Sequence, residues 1–193
     1  CLTEQSIQQR LPGYSIKISR GEGMLGICTA VNPAISHKIE TIVPGRLQKV
    51  TLPNLTILNV YLPAGTNMAQ ARRDLIQTYL LNETKQSQMA LIGDFNCVIH
   101  EKDVEANFRN KRSIELRQLV ETFSLSDIFN TIHPGKTEYT FTRPGSSSAR
   151  LDRCYLTTDI TATSCTHKPV LSDHQALIID LGMPGQKAKR RQN

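Results

Sequence analysis

Met89-Ala90-Leu91-Ile92-Gly93-Asp94-Phe95-Asn96 is an apolar run that ends in polar groups, and it predicts a buried strand with chemistry at its tip. Residues two apart on a strand share a face, so Asp94 and Asn96 can point into one pocket. A second apolar run, Ala176-Leu177-Ile178-Ile179, is preceded by Ser172-Asp173-His174. An Asp-His pair arriving there would give the pocket a base and a metal-attracting charge. Gly, Asp, Asn and Ser are also ordinary strand punctuation, and either motif alone would read as a turn. Together, with the further pieces below, they favour a catalytic site.

Outward from these two runs, strand-like segments dominate the chain. They are Leu25 to Val31, Lys49 to Leu52, Thr56 to Leu62, Met89 to Ile92, Tyr139 to Thr142, Leu151 to Leu156 and Ala176 to Leu181, short and β-branched or aromatic. Two segments have helical spacing instead. Met68, Ala71, Leu75 and Tyr79 form one stripe with Ile76 and Leu80 beside it, and Asn67 stands where a cap is expected. Leu116, Leu119, Val120 and Phe123 form the other, with Ser113 as cap. The charged stretch Glu101 to Arg112 reads as an exposed loop. Turns fall at Pro53-Asn54, Pro134-Gly135 and Pro144-Gly145. This pattern predicts an α/β fold: two packed, mainly antiparallel sheets flanked by helices, a four-layer sandwich. Residues 1–182 form the domain and 183–193 a basic linker or tail.

A chain of 193 residues suits one well-buried domain, and its composition argues against disorder and fibrous repeats. The net charge is +6, with Lys187, Lys189, Arg190 and Arg191 concentrated in the tail, so the body is only mildly basic. That field is compatible with a phosphate-rich partner without identifying one. Five widely spaced cysteines without a C-x-x-C exclude a zinc ribbon and make a disulfide framework unexpected. Three of them lie in apolar stretches and should pack as small hydrophobes. No stretch is long and apolar enough to span a bilayer, so no membrane partner is expected. The absence of a starting Met and the strand-like Cys1-Leu2 suggest a piece of a longer chain.

Hydrolysing a phosphodiester requires a cation to neutralise phosphate charge, a base to activate water, and donors for the scissile oxygens. The candidates are Glu4, Tyr61, Asp94, Asn96, Asp152, Asp173 and His174. Each has a plainer alternative. Glu4 suits a helix first turn, Tyr61 a core tyrosine with its hydroxyl at the rim, and Asp152 an exposed strand charge paired with Arg150 or Arg153. His174 alone would more often be structural. Their order shifts the balance: Glu, then Tyr-x-Pro, then Gly-Asp-x-Asn, then Arg-x-Asp, then Ser-Asp-His, each attached to a strand-like run.

That order resembles the exonuclease–endonuclease–phosphatase superfamily, and within it the apurinic-like endonuclease domain of non-LTR (LINE-type) retrotransposons. The likeness runs through Cys1-Leu2-Thr3-Glu4, Gly23-Met24-Leu25-Gly26-Ile27, Asn59-Val60-Tyr61-Leu62-Pro63, Gly93-Asp94-Phe95-Asn96, Leu125-Ser126-Asp127-Ile128-Phe129, Glu138-Tyr139-Thr140-Phe141-Thr142, Arg150-Leu151-Asp152-Arg153 and Ser172-Asp173-His174. It implies an endonuclease dependent on Mg²⁺, with Mn²⁺ able to substitute, that nicks one strand of duplex DNA to prime reverse transcription. Glu4 would hold the metal. Asp94 would orient or deprotonate water with Asn96 fixing it. His174, oriented by Asp152, would contact the phosphate or act as base, Tyr61 would steady the phosphate, and Asp173 would sit near metal and leaving group. The resemblance also implies a reverse transcriptase domain in the same polyprotein, and work in the nucleus after synthesis in the cytoplasm.

The same resemblance points to Arg143 to Ser148 as a hairpin tip that probes the groove, with a plain solvent turn as the alternative, and to Arg143, Ser146, Ser147, Ser148 and Arg150 as DNA contacts. Ala64 and Ala149 stand where many relatives carry Asn and Ser, and the family's opening strand, with its Asn, would lie upstream of Cys1. Losing that strand would expose a sheet edge. Two alternatives stand beside this reading. One is a superfamily phosphodiesterase acting on a phospholipid, an inositol phosphate or RNA. The other is a catalytically inert relative that only binds DNA.

Overall fold

The computed structural model describes residues 4–22, 26–83, 88–106, 108–145 and 147–182. The chain opens with α1 (Glu4–Arg10), the hairpin β1 (Ser15–Arg20) and β2 (Gly26–Val31), and the meander β3 (Lys38–Val43), β4 (Leu47–Leu52) and β5 (Leu55–Tyr61). A helical stretch follows, with α2 (Ala69–Leu75), a π-helical turn (Ile76–Leu80) and α3 (Leu81–Glu83). Then come β6 (Met89–Asp94), α4 (Phe108–Lys111), α5 (Ile114–Thr122), β7 (Ser126–Asp127) and α6 (Ile128–Ile132). Strands β8 (Asp152–Leu156), β9 (Thr161–Pro169) and β10 (Gln175–Gly182) complete it.

Six strands form one sheet in the order β3-β4-β5-β6-β8-β7. Only the β5–β6 pair is parallel. β6 lies inside this sheet with both faces covered, which is why Met89 to Ile92 is continuously apolar rather than alternating. On one face Leu58, Val60, Met89 and Leu91 meet Leu75, Ile76 and Leu80 of the α2 stretch and Leu116 and Leu119 of α5. On the other face Ala90, Cys154 and Leu156 meet Cys165, Leu177 and Ile179 of the β9–β10 hairpin. The β1–β2 hairpin also lies over the main sheet, where Asn59 Nδ2 donates to Cys28 O and Thr29 Oγ1 to Gln48 Oε1. The predicted α/β class, mainly antiparallel sheets flanked by helices, is present, with the second strand layer made of two separate two-stranded hairpins rather than one continuous sheet. Cys97, Cys154 and Cys165 are buried as small hydrophobes, as expected.

Several local expectations need correction. Asn67 does not cap α2; it lies in a 3₁₀ turn, and the residue at the cap is Met68. The π-helical turn carries more residues per turn than an α-helix, so the stripe rotates. Leu80 faces the core and Tyr79 points out. Ser113 does cap α5, accepting from Leu116 N at 3.1 Å. Tyr139 to Thr142 is not a strand, although Phe141 bridges to both Ala149 and His174. Glu101 to Arg112 is not a simple exposed loop either. Asp103 and Val104 within it are buried, because the carboxylate of Asp103 is the partner of two buried arginines. Among the described residues no helix is long and apolar enough to cross a membrane.

Candidate active site

Strand register builds the centre of the site. Tyr61 at the end of β5 is level with Asp94 at the end of β6, and Asp94 is level with Asp152 at the start of β8. Neighbours in a row across paired strands project to the same face about 5 Å apart, so these three side chains form one line at one end of the sheet. Gly93 makes the close approach possible. Its φ is +140°, and a Cβ there would fall 2.0 Å from Val60 O. The strand must bend through this glycine to present Asp94.

The polar side chains are then locked from behind. Asn96, itself at positive φ, donates from its backbone N–H to Asp94 Oδ1 at 2.9 Å and from Nδ2 to Asp94 Oδ2 at 2.7 Å. Its Nδ2 also reaches Leu62 O at 2.9 Å. His174 Nδ1 lies 2.8 Å from Asp152 Oδ2. A carboxylate oxygen is the natural acceptor in this pair, so Nδ1 is the donating nitrogen, and His174 lines the cleft. Buried Thr140 fixes the start of β8, its Oγ1 accepting from both Leu151 N and Asp152 N at 2.9 Å. Asp173 is paired with Arg143, whose Nε lies 2.9 Å from Asp173 Oδ2.

The electrostatics follow from this packing. Burial, reinforced by the nearby charge of Asp152, raises the Asp94 carboxyl to about 6, against the pull of Asn96 and His174. The hydrogen bond that His174 donates to Asp152 raises the imidazole above its ordinary value, with burial opposing. The hydrogen bond from Arg143 holds Asp173 below the usual carboxylate range. The result is a cleft of about 650 Å³ whose lining includes Tyr61, Asp94, Asn96, Asp173 and His174 together with Arg72, Lys111 and Phe141. A carboxylate with raised proton affinity beside a carboxylate-supported imidazole can accept and donate protons near neutral pH.

A family model described as endonuclease-reverse transcriptase matches residues 55–178, more than half of the chain. The chain belongs to this family. It is an endonuclease-type domain of the exonuclease–endonuclease–phosphatase superfamily, of the kind carried by LINE-type elements. It is similar to the transposon TX1 149 kDa protein of Xenopus laevis, 28% identical over 159 residues. That match covers 74% of this chain but 12% of the relative, so the chain spans about an eighth of that protein. Among solved structures it is similar to an AP endonuclease from Archaeoglobus fulgidus, with a TM-score of 0.74 and 19% identity over 94% of this chain and 84% of that one. A 3′ phosphatase, NExo, from Neisseria bound to product DNA hairpin is similar at TM-score 0.73 and 16% identity, covering 94% and 84%. These two likenesses show a shared fold.

Within the endonuclease, six of the sequence candidates converge: Tyr61, Asp94, Asn96, Asp152, Asp173 and His174. Glu4 begins α1, and its side chain lies outside the described residues, as does Ser146. Arg143 is exposed at the cleft, engaged with Asp173. Ser147 and Ser148 are half-buried, and Ser148 is tied through both its N–H and its carbonyl to Glu105. Arg150 requires a correction. It is not a DNA contact: its side chain is 2% exposed and engages Asp103 and Asp127 inside the protein. The strand that follows Arg150 is buried along nearly its whole length, and two acids, Asp103 and Asp127, meet the guanidinium inside the protein. Sequence reasoning missed Arg72 and Lys111. Nothing in the helical pattern marked Arg72, and Lys111 sat within a charged stretch that resembled a loop.

Proposed function

We propose that this domain is a metal-dependent endonuclease that nicks one strand of duplex DNA by phosphodiester hydrolysis at a retroelement target site, leaving an end that primes reverse transcription. The observation that carries the reading is the level row of Tyr61, Asp94 and Asp152 with His174 bonded to Asp152 at 2.8 Å. In this reading Asp94, aimed by Asn96, takes the proton from the attacking water. His174, kept in one tautomer by Asp152, faces the phosphate oxygens through Nε2. Tyr61 steadies the phosphate, and Asp173 lies where the leaving oxygen departs, with Arg143 beside it.

Mg²⁺ suits this donor set, because it takes one or two carboxylates and keeps most of its water. Two carboxylates, Asp94 and Asp173, line the cleft, an oxygen donor set of the sparse kind such an ion takes. Glu4 is the proposed ligand, with Asp94 nearest the reacting phosphate. When bound, Mg²⁺, or Mn²⁺ in its place, withdraws negative charge from the phosphate oxygens. The matching family is described as endonuclease-reverse transcriptase and the transposon relative is far longer than this chain, which together support a reverse transcriptase partner in the same polyprotein. A genomic target implies work in the nucleus.

The test is conversion of supercoiled plasmid to nicked circle with Mg²⁺ and with EDTA, alongside Asp94→Ala and His174→Ala. Nicking should require the metal and fall by about 10²-fold or more in each variant. A folded protein that never nicks, or variants that nick as fast as the parent, would overturn the proposal.

A further inference from the structure

The cleft holds more positive charge than the hydrolytic row uses. Arg72 is buried, and its Nη1 donates to Pro63 O at 2.7 Å and Gly65 O at 2.8 Å. Both acceptors are neutral carbonyls, and among the described residues no carboxylate lies within ion-pair distance of Arg72. Lys111 is half-buried at the same cleft, its Nζ 5.2 Å from the centre of the Phe141 ring. It too has no carboxylate at ion-pair distance among the described residues. Arg143, the third cation lining the cleft, is already answered by Asp173.

Lys111 is held there by the backbone. Val98 N donates to Lys111 O at 2.8 Å and Ser113 N to Val98 O at 2.9 Å. Val98 stands two residues beyond Asn96, so the segment that ends α4 is stitched to the segment that aims Asp94. Burying cationic groups with no carboxylate at ion-pair distance is costly; burial depresses the proton affinity of Lys111, the charge of Asp94 opposes this, and Arg72 adds to it. An anion between them would remove that cost. A phosphodiester oxygen is the anion a nuclease cleft meets, and a cleft of about 650 Å³ has room for more than one phosphate group.

We propose that Arg72 and Lys111 form a seat for a second backbone phosphate of the bound strand, beside the one that faces Asp94 and His174. This rests on reading the cleft as a nucleic-acid site. The seat acts in binding and register, because a non-reacting phosphate is held equally in the ground and transition states.

The experiment uses a fluorescein-labelled 20-base-pair DNA duplex, titrated by anisotropy in EDTA over a series of salt concentrations, together with plasmid-nicking kinetics in Mg²⁺. Lys111→Ala should make the slope of log affinity against log salt shallower by about one. It should raise KM with kcat within about twofold, and Lys111→Arg should restore both. Arg72→Gln, checked for folding by its melt, should shift the slope in the same direction. Lys38→Ala, at the far end of β3 and paired with Glu40, should change neither quantity. An unchanged slope in Lys111→Ala, a fall in kcat with KM unchanged, or a wild-type protein that binds no duplex overturns the seat. A wild-type protein that binds with a Lys111-dependent slope but does not nick refutes the proposed hydrolysis and leaves the seat standing.

Discussion

Arg150→Met should destabilise this domain rather than loosen its hold on DNA. Arg150 donates from Nε and Nη2 to Asp103 Oδ1 at 3.0 and 2.9 Å, and from Nη1 and Nη2 to the two oxygens of Asp127 at 3.0 and 2.7 Å. Arg153 completes the cluster, 3.1 Å from Asp103 Oδ2 and 3.2 Å from Asp127 Oδ2. The first of these is an ion-pair contact without hydrogen-bond geometry, since Asp103 Oδ2 has no hydrogen-bond partner. Two cations and two anions balance. Removing one cation leaves two buried carboxylates facing a single arginine, a change that costs about 3–5 kcal/mol. For a chain of this size each kcal/mol lowers the melting temperature by roughly 2–4 °C, so the variant should melt roughly 6–20 °C below the parent.

The pH dependence has a definite sign. Burial would raise the carboxyl of Asp127, but Arg150 and Arg153 hold it below its ordinary 3.8. Its contribution is therefore present above about pH 4 and lost as pH falls through the depressed value. The stability gap between parent and variant should narrow in acid. Urea melts from pH 3 to pH 7, with duplex binding measured below both melting temperatures, test this. A variant that melts within about 0.5 kcal/mol of the parent, the range of an ordinary surface substitution, yet binds DNA with a shallower salt dependence would refute the assignment. Arg150 would then be the nucleic-acid contact its sequence context suggested.

Gly93→Ala places a Cβ 2.0 Å from Val60 O at a backbone φ of +140° and should cost about 3 kcal/mol or more, read as a lower urea midpoint and lost nicking. Asp94→Asn should be more stable than the parent in EDTA at pH 7, by on the order of 1–3 kcal/mol. The native carboxyl titrates near 6, so the folded parent binds more protons than the unfolded chain between about pH 4 and 6 and loses stability as pH rises through that window. The advantage should vanish below pH 4, and thermal melts at pH 3.5 and 7 check it. Ser113→Ala removes the acceptor for Leu116 N at the start of α5 and should cost about 1 kcal/mol by urea melt, with nicking rates unchanged at 25 °C.

The parts of this domain that could be read in advance are those where one residue type admits one placement. An unbroken apolar run closed by Gly93-Asp94 has to be an interior strand with its acid at the rim, and Asp94 and Asn96 meet there as expected. The row of Tyr61, Asp94 and Asp152 was legible only as a set of strand ends. Its level register arises from pairing between strands distant in sequence, β5 with β6 and β6 with β8, and no local pattern encodes that. The cations were the least legible. Arg143, Arg150, Arg72 and Lys111 carry the same formal charge, yet one is exposed beside Asp173, one is enclosed by Asp103 and Asp127, and two lack an acid partner among the described residues. What separates them is the position of carboxylates contributed by other elements, set by the fold rather than by neighbours in the chain. A cation's partner decides whether it stabilises the protein or waits for a ligand, and the two without one lie together on the wall of the cleft.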